Sequence, residues 1–434
     1  MIASGIPIPD EMTPPLGEVQ RQPLKRNFAW TVAGNVIYAG CQWAMLVAIA
    51  KLGTAEMVGQ FALGLAVSAP VYMLTNLNLR AAQATDSRHE YRFGHYLAVR
   101  LAGTLVALTV IAAIVGFSRY RRETALVIAA VTLAKASESV SDLLYGLWET
   151  RERFSSEAVA LIGRGLGAVI ALGVALFLTK NLMLAVLAYA GWWAAWLLSY
   201  ERSTAKHILA SGTAPEALRP AWEPQRLKEL AVLSFPLGAV MLLISLNANI
   251  PRYLVEYYWG EAALGYFAAL AYIQVAGTMV VNALGQSAAP RLAHYYLSDR
   301  KAYVRLLGRM VAFAALLGLS GVGVALAFGK PLLRLLYRAE YAAYADVFVW
   351  VMVAGSVLYM AGAVGFAYTA TRRFRSYLLP FGLNTLVGTV AAPFLVKAAG
   401  LTGAALTVLL VASGQLLATA LLLRSALAEK RPAA

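Results

Sequence analysis

Charged residues and cysteine are both scarce in this chain of 434 residues. Only 14% of the residues are charged and 60% are apolar, whereas soluble domains carry about 25% charged residues. The single cysteine, Cys41, lies in an apolar stretch, which excludes an internal disulfide and a cysteine-based metal site. The four histidines lack metal-ligand spacing, and no phosphate loop or nucleophile motif occurs. We therefore expect neither a cofactor nor a metal site, and the sequence argues against an enzyme.

The N-terminal segment lacks the apolar core of a cleavable signal peptide. Residues 1–27 instead combine scattered charges with prolines that break helices. These prolines are Pro7, Pro9, Pro14, Pro15 and Pro23. We interpret the segment as a cytosolic tail.

Long apolar runs follow one another along nearly the whole chain. Each is roughly 18 to 25 residues long, enough at 1.5 Å per residue to cross a hydrocarbon layer of about 30 Å. This pattern predicts an all-α, polytopic membrane protein of about twelve transmembrane helices in two lobes of six. The predicted segments are a tail at 1–27, an N-terminal lobe at 28–200, a cytoplasmic linker at 201–229, a C-terminal lobe at 230–424 and a cytosolic tail at 425–434.

The net charge of +15 indicates how the chain lies in a membrane. Basic residues of membrane proteins collect in cytoplasmic loops and beside anionic lipid, so the positive charge does not predict nucleic-acid binding. Most of the lysines and arginines fall in alternate loops, which places both termini in the cytosol. Arg119, Arg121 and Arg122 depart from the trend locally.

A weak internal repeat relates the two predicted lobes. Residues 59–62, Gly-Gln-Phe-Ala, match residues 265–268, Gly-Tyr-Phe-Ala, and Asn76 falls on Asn282 at the same offset. Six predicted helices separate the copies, so both copies run in the same direction through the membrane. Parallel repeats of this kind are common in transporters that open alternately to the two sides.

The few charged residues inside the predicted helices are candidates for function, because a charge at membrane depth is costly. Lys135, Glu138 and Asp142 follow one another at helical spacing and share one face, and Arg164 in the next helix lies at the depth of Glu138. In one interpretation, the basic residues line a cavity open to the cytosol and attract a phosphorylated head group. In the other, they form ion pairs that hold the helices together. The basic residues in question are Arg80, Arg100, Lys135, Arg164 and Arg309.

Other polar and small residues allow similar pairs of interpretations. Glu138 and Asp142 are candidates for binding a coupling proton or sodium ion. Asn76 and Asn282 are candidates for contacting sugars, or for bridging between helices. The glycines at 163, 165 and 167 have no preceding strand, so they indicate close helix packing and not a nucleotide site.

Residues 59–86, together with the motifs at 91–94 (Tyr-Arg-Phe-Gly) and 96–100 (Tyr-Leu-Ala-Val-Arg), resemble the Wzx-type polysaccharide biosynthesis flippases of the multidrug/oligosaccharidyl-lipid/polysaccharide (MOP) superfamily. The resemblance implies that an undecaprenyl-pyrophosphate-linked oligosaccharide crosses a bacterial inner membrane by alternating access. It further implies contacts with membrane lipid and with polysaccharide polymerase machinery. The cationic residues would then bind the pyrophosphate.

Two alternatives stay open at this point. An ion-coupled multidrug exporter of the same superfamily is the first. Such exporters often carry an acidic residue in the first or the seventh transmembrane helix, and this chain has none in the corresponding predicted helices, near residues 28–50 and 230–248. A membrane enzyme of polysaccharide assembly is the second. It is less favoured because the predicted external loops are short.

Overall fold

The computed structural model describes residues 24–86, 90–211, 216–371 and 375–428, and within these ranges the chain is helical, without β-strands. The helices are α1 (Leu24–Leu52), α2 (Ala55–Thr75), α3 (Leu79–Thr85), α4 (Phe93–Phe117), α5 (Arg122–Thr150), α6 (Phe154–Thr179), α7 (Leu182–Trp196), α8 (Arg202–Ala210), α9 (Pro224–Ser298), α10 (Arg300–Leu336), α11 (Ala345–Thr369) and α12 (Arg375–Ala428). A π-helical turn, Leu197–Glu201, joins α7 to α8, and a 3₁₀ turn, Ala339–Tyr344, precedes α11.

Ten helices in the described part of the chain are long and apolar enough to cross a membrane. Two of them, α9 with 75 residues and α12 with 54, each consist of two helices joined across a kink. The kinks lie at Gly260 (φ 82°) and Gly400 (φ 56°), where positive φ favours glycine. The structure thus confirms an all-α, multi-pass membrane fold, while the count of twelve crossings stays a prediction.

The two kinks lie next to each other in space. The Trp259 indole nitrogen donates a hydrogen bond to the Val396 carbonyl oxygen at 3.0 Å. A methyl group at Gly400 would lie 3.6 Å from the same indole ring. One tryptophan therefore ties the bend of α9 to the bend of α12.

Helices α6 and α7 pack closely through glycine, as the sequence predicts. A methyl group at Gly163 would lie 2.1 Å from the Trp196 ring, and one at Gly167 would lie 1.9 Å from the Trp192 ring. The Trp192 indole donates to the Gly163 carbonyl oxygen at 3.2 Å. These glycines make room for tryptophan rings.

The two halves of the chain meet along α2 and α9, and the two copies of the sequence repeat contact each other there. A methyl group at Gly59 would lie 1.8 Å from the Glu261 carbonyl oxygen, and one at Gly265 would lie 1.9 Å from the Ala55 carbonyl oxygen. Each glycine thus packs on the carbonyl group four residues before the other glycine. Farther along α2, the Tyr253 hydroxyl donates to the Ala66 carbonyl oxygen. The repeat therefore marks a reciprocal, locally two-fold helix crossing.

The helix that ends the N-terminal half is longer than the sequence predicts. The proposed linker begins at residue 201, but the structure continues as helix through the π turn and α8 to Ala210, and α9 begins at Pro224. Glu201 is fully buried. Its carboxylate accepts hydrogen bonds from the Ser141 and Tyr145 hydroxyls. The last apolar run of the N-terminal lobe ends near Tyr200. The helix continues beyond it because the Ser141 and Tyr145 hydroxyls compensate the charge of Glu201.

The packing of α6 on α7 predicts a position-specific loss of stability. We expect Gly167→Val to lower the free energy of unfolding by about 1 to 3 kcal/mol, because the added side chain displaces the Trp192 ring. Thermal unfolding of the purified protein, followed by tryptophan fluorescence, measures the effect. Gly173→Val is the matched control, since no atom lies within 4 Å of that position. Equal destabilisation by both variants would contradict this account of the packing.

Candidate functional site

A cluster of buried and half-buried charged side chains lies in the N-terminal half, between α3, α4, α5, α6 and the π turn. Helix α5 carries four of its members at spacings of three, four and seven residues, so they share one face. The members are Arg80, Arg100, Lys135, Glu138, Asp142, Glu149, Glu157, Arg164 and Glu201.

Arg100 is the most deeply buried cation of the cluster, with a side chain that is 0% exposed. Its Nη2 donates to Asp142 Oδ2 at 3.0 Å. Its Nε and Nη1 are also buried, and neither has a hydrogen-bond partner among the described residues. A buried guanidinium needs compensation for its lost hydration. Arg100 therefore keeps two donor nitrogens that no residue in the described part of the chain uses.

Arg80, in contrast, is fully engaged by carboxylates. Its guanidinium contacts Glu149 through two hydrogen bonds of 2.9 and 2.7 Å, Glu157 at 2.6 Å and Asp142 at 3.6 Å. Asp142 consequently lies between Arg80 and Arg100 and pairs with both. This geometry agrees with the ion-pair interpretation for Arg80, which joins α3 to α5 and α6.

A second group of charges lies beside the first on α5. Lys135 Nζ contacts Glu138 Oε2 at 2.5 Å, and the Tyr38 hydroxyl donates to Glu138 Oε1 at 3.0 Å. The side chains of Lys135 and Glu138 are 21% and 29% exposed. This pair is therefore reachable from solvent, unlike Arg100.

Arg164 does not form the pair with Glu138 that its depth suggests. Its Nη1 lies 3.9 Å from Glu201 Oε1 and 3.4 Å from the Tyr145 hydroxyl, and its guanidinium lies over the Trp193 ring at 4.0 Å from the centroid. Both charges of the Arg164–Glu201 pair are buried. Arg164 therefore joins α6 to the π turn after α7. The sequence does not predict this contact, because the predicted linker includes Glu201.

Three acidic members of the cluster, Glu149, Glu157 and Glu201, are not among the candidate residues that the sequence predicts. Glu149 follows Asp142 by seven residues, so helical spacing already places both on one face of α5. Glu157 precedes Arg164 by seven residues on α6 in the same way. Glu201 has no comparable spacing signal, since its position follows from the π-helical turn.

The remaining predicted residues divide between the cluster and the other half of the chain. Asn76 borders the cluster, since its Oδ1 accepts a hydrogen bond from Ser139 at 2.6 Å. Asn282 on α9 and Arg309 on α10 are exposed. Because α10 packs mainly on α11, through a buried face that includes Met310, Arg309 points away from that packing. Arg309 is thus exposed, whereas Arg100 is buried.

A smaller polar contact joins the two halves beside the Gly59 and Gly265 crossing. Gln60 Nε2 donates to Glu261 Oε2 at 2.9 Å, and the Thr124 hydroxyl donates to the other carboxylate oxygen. Gln60 and Thr124 are buried. The Glu261 carboxylate thus links α9 to both α2 and α5 at this end of the molecule.

Solved structures with the same fold are membrane transporters. The lipid II flippase MurJ in an inward closed conformation matches with a TM-score of 0.69 and 11% identity, over 91% of this chain and 87% of MurJ. An inward-facing multidrug resistance MATE family transporter of the MOP superfamily matches with a TM-score of 0.61 and 12% identity, over 92% of this chain and 93% of that one. This chain therefore has the multi-pass helical fold of these membrane transporters.

Sequence comparison assigns the family. The family model described as polysaccharide biosynthesis protein matches residues 24–296. The capsular polysaccharide biosynthesis protein CapF of Staphylococcus aureus is 27% identical over 329 residues, which cover 73% of this chain and 78% of CapF. The chain belongs to the polysaccharide biosynthesis protein family, as the resemblance in its sequence implies. Family and fold point to a transporter or flippase rather than to an enzyme.

The shared role of Asp142 predicts how the cluster responds to loss of one charge. We expect Asp142→Asn to lower the free energy of unfolding by about 2 to 3 kcal/mol, because Arg100 then keeps a buried charge without an acid. The cost falls below the roughly 3 to 5 kcal/mol of a fully buried pair, since the Asp142 side chain is 34% exposed.

Thermal unfolding of the detergent-solubilised protein checks this expectation. Glu90→Gln removes one negative charge from an exposed position and serves as the control. A stability of Asp142→Asn equal to that of the control would show that Arg100 does not depend on this carboxylate.

Proposed function

We propose that this protein is a flippase that moves an undecaprenyl-pyrophosphate-linked oligosaccharide from the inner to the outer leaflet of a bacterial cytoplasmic membrane. Both termini lie in the cytosol in this proposal. The observation that carries it is Arg100, a buried cation that keeps two unused donor nitrogens inside a member of a polysaccharide biosynthesis family. The transporter fold, which this chain shares with the lipid II flippase MurJ, supports it.

The chemistry of the cluster suits a pyrophosphate. An arginine guanidinium binds phosphate oxygens through two parallel N–H groups, and such charge-assisted hydrogen bonds are strong. Asp142, which pairs with Arg100, and Lys135, about 10 Å away along α5, are both partly exposed. A head group that enters from solvent then meets Lys135 and reaches Arg100 by displacing Asp142. The amide of Asn76 is then available to the first sugar, while the prenyl tail stays in lipid.

Coupling to an ion also belongs to this proposal. Glu138 and Asp142 are carboxylates with partial exposure, and each pairs with a cation that the substrate competes for. A proton or a sodium ion compensates the carboxylate when the substrate takes its partner. The direction of transport then follows from the ion gradient.

Alternating access is supported by the contact between the two halves. The Gly59 and Gly265 crossing and the Glu261 hydrogen bonds lie at the end of α2 opposite to Arg80, which is the external end in the proposed orientation. This contact closes the external side and leaves the charged cluster on the cytosolic side. Opening it would expose the route outward.

Transport by variants tests the substrate-binding role of Arg100. In inverted membrane vesicles, we expect Arg100→Ala to reduce translocation of the lipid-linked oligosaccharide at least about tenfold, because the loss of a charge-assisted pair with phosphate costs roughly 1.5 to 3 kcal/mol. Protection of the saccharide from an external glycan-modifying enzyme measures translocation. Arg119→Ala, which removes an exposed arginine between α4 and α5, is the control at equal protein abundance.

The same vesicles separate the competing functions. Export of a cationic dye without any translocation of the oligosaccharide would replace the flippase with a drug exporter, which shares this fold. Elongation of the glycan by the purified protein would identify a membrane enzyme instead. Unchanged translocation by Arg100→Ala would remove Arg100 from the substrate site.

The helix crossing gives a separate prediction for alternating access. We expect Gly59→Val to separate α2 from α9 at the external side, since its side chain collides with the Glu261 carbonyl group. In a Cys41→Ser background, the Tyr253→Cys thiol should then react faster with a membrane-impermeant reagent added from outside. Tyr253 lies at the α2 contact, so its accessibility reports the separation.

Gly40→Val controls for a general effect of valine in a helix, because no atom lies within 4 Å of that position. Labelling of Tyr253→Cys should be the same with Gly40→Val as without it. If Gly59→Val leaves labelling unchanged as well, the crossing is not the external closure.

A further inference from the structure

The end of α9 and the beginning of α10 carry a group of cations that the proposed transport route does not use. All five are exposed, and none forms an ion pair within the described ranges. They are Arg291, Arg300, Lys301, Arg305 and Arg309. The buried cations of the N-terminal half, in contrast, each contact at least one carboxylate.

The one acid in this segment is already used by the backbone. Asp299 lies before the first turn of α10, and its Oδ1 accepts hydrogen bonds from the amides of Lys301 at 2.9 Å and Ala302 at 3.0 Å. An acidic cap compensates the helix N-terminus. Asp299 forms no ion pair with any of the five cations.

The turn lies level with the end of a membrane-spanning helix. The buried Tyr303 hydroxyl donates to the Ala367 carbonyl oxygen at 2.7 Å, two residues before α11 ends at Thr369. Leu297 and Val304 are 72% and 48% exposed among the cations. Exposed apolar side chains interleaved with arginines are typical of a surface at the boundary between lipid and water.

Arg305 and Arg309 form the most defined part of this surface. They lie one turn apart on α10, about 7 and 13 Å along the helix axis from Arg300. Gly308 lies between them, and no atom is within 4 Å of the position that a side chain would take there. The opposite face of α10 is buried through Met310 and Ala314. Arg305, Arg309 and Gly308 thus lie on the part of α10 that faces away from this buried side.

We propose that Arg305 and Arg309, one turn apart and next to Gly308 on α10, bind the phosphate of an anionic phospholipid in the cytoplasmic leaflet. The charge of the site complements that leaflet, whose anionic lipids attract basic segments next to membrane-spanning helices. The arginine side chains extend along α10 toward the head groups, as long basic side chains do at a membrane surface. The proposal depends on the proposed orientation in the membrane but not on the transported substrate.

Native mass spectrometry of the full-length protein tests the site, with phosphatidylglycerol and phosphatidylcholine as the added lipids. We expect Arg305→Gln/Arg309→Gln to lower the apparent affinity for phosphatidylglycerol by about tenfold, given the attraction of each arginine to an anionic surface. Retention of phosphatidylcholine should not change. Gly308→Leu, which keeps every charge and covers the open backbone, should also reduce phosphatidylglycerol retention.

The control variant is Arg119→Gln/Arg122→Gln, which removes two exposed arginines between α4 and α5. It should retain phosphatidylglycerol as the unmodified protein does. Equal losses in both double variants would show that phosphatidylglycerol retention depends on net charge alone. Unchanged retention in Arg305→Gln/Arg309→Gln would show that these side chains do not bind the lipid. Either result overturns the proposal. Because retention is measured without transport, failure of the flippase function would not alter this result.

Discussion

Compensation of buried charge is the constraint on which the N-terminal half of this protein depends. An ion inside a hydrocarbon layer costs several kcal/mol unless another group replaces its hydration. Arg80, Asp142 and Arg100 satisfy this requirement as a chain, in which one carboxylate serves two guanidinium groups. Since the partners come from α3, α4, α5 and α6, the same contacts that neutralise charge fix the relative positions of these helices.

The charged cluster and the glycine crossing make different demands on the same fold. Ion pairs hold helices of one half together, whereas the Gly59 and Gly265 crossing brings helices of the two halves into backbone contact. Small residues permit such close approach without a strong polar bond, so the contact can be made and broken. Glu261 adds a directional hydrogen bond to Gln60 at the crossing. The two kinds of contact thus act at different places, the ion pairs within one half and the glycine crossing between the halves.

The charges are distributed unequally between the two halves. The N-terminal half contains the buried ion pairs, while the cations near the start of α10 are exposed and form no ion pair with any residue that the structure describes. The two copies of the internal repeat therefore resemble each other more in helix packing than in the contacts of their polar side chains. Asn76 accepts a hydrogen bond from Ser139, but its repeat counterpart Asn282 is exposed on α9. Position in the repeat alone does not predict function.

By itself, the sequence determined the all-helical membrane fold, the close packing at Gly163 and Gly167, and the shared face of Lys135, Glu138 and Asp142. Each of these follows from local periodicity or from residue size along one helix. Only the tertiary structure decided which charges meet. Arg164 pairs with Glu201 and not with Glu138, because a π-helical turn carries Glu201 into the protein. Partners on different helices depend on rotation, tilt and helix ends, which the hydrophobic pattern of a single helix does not encode.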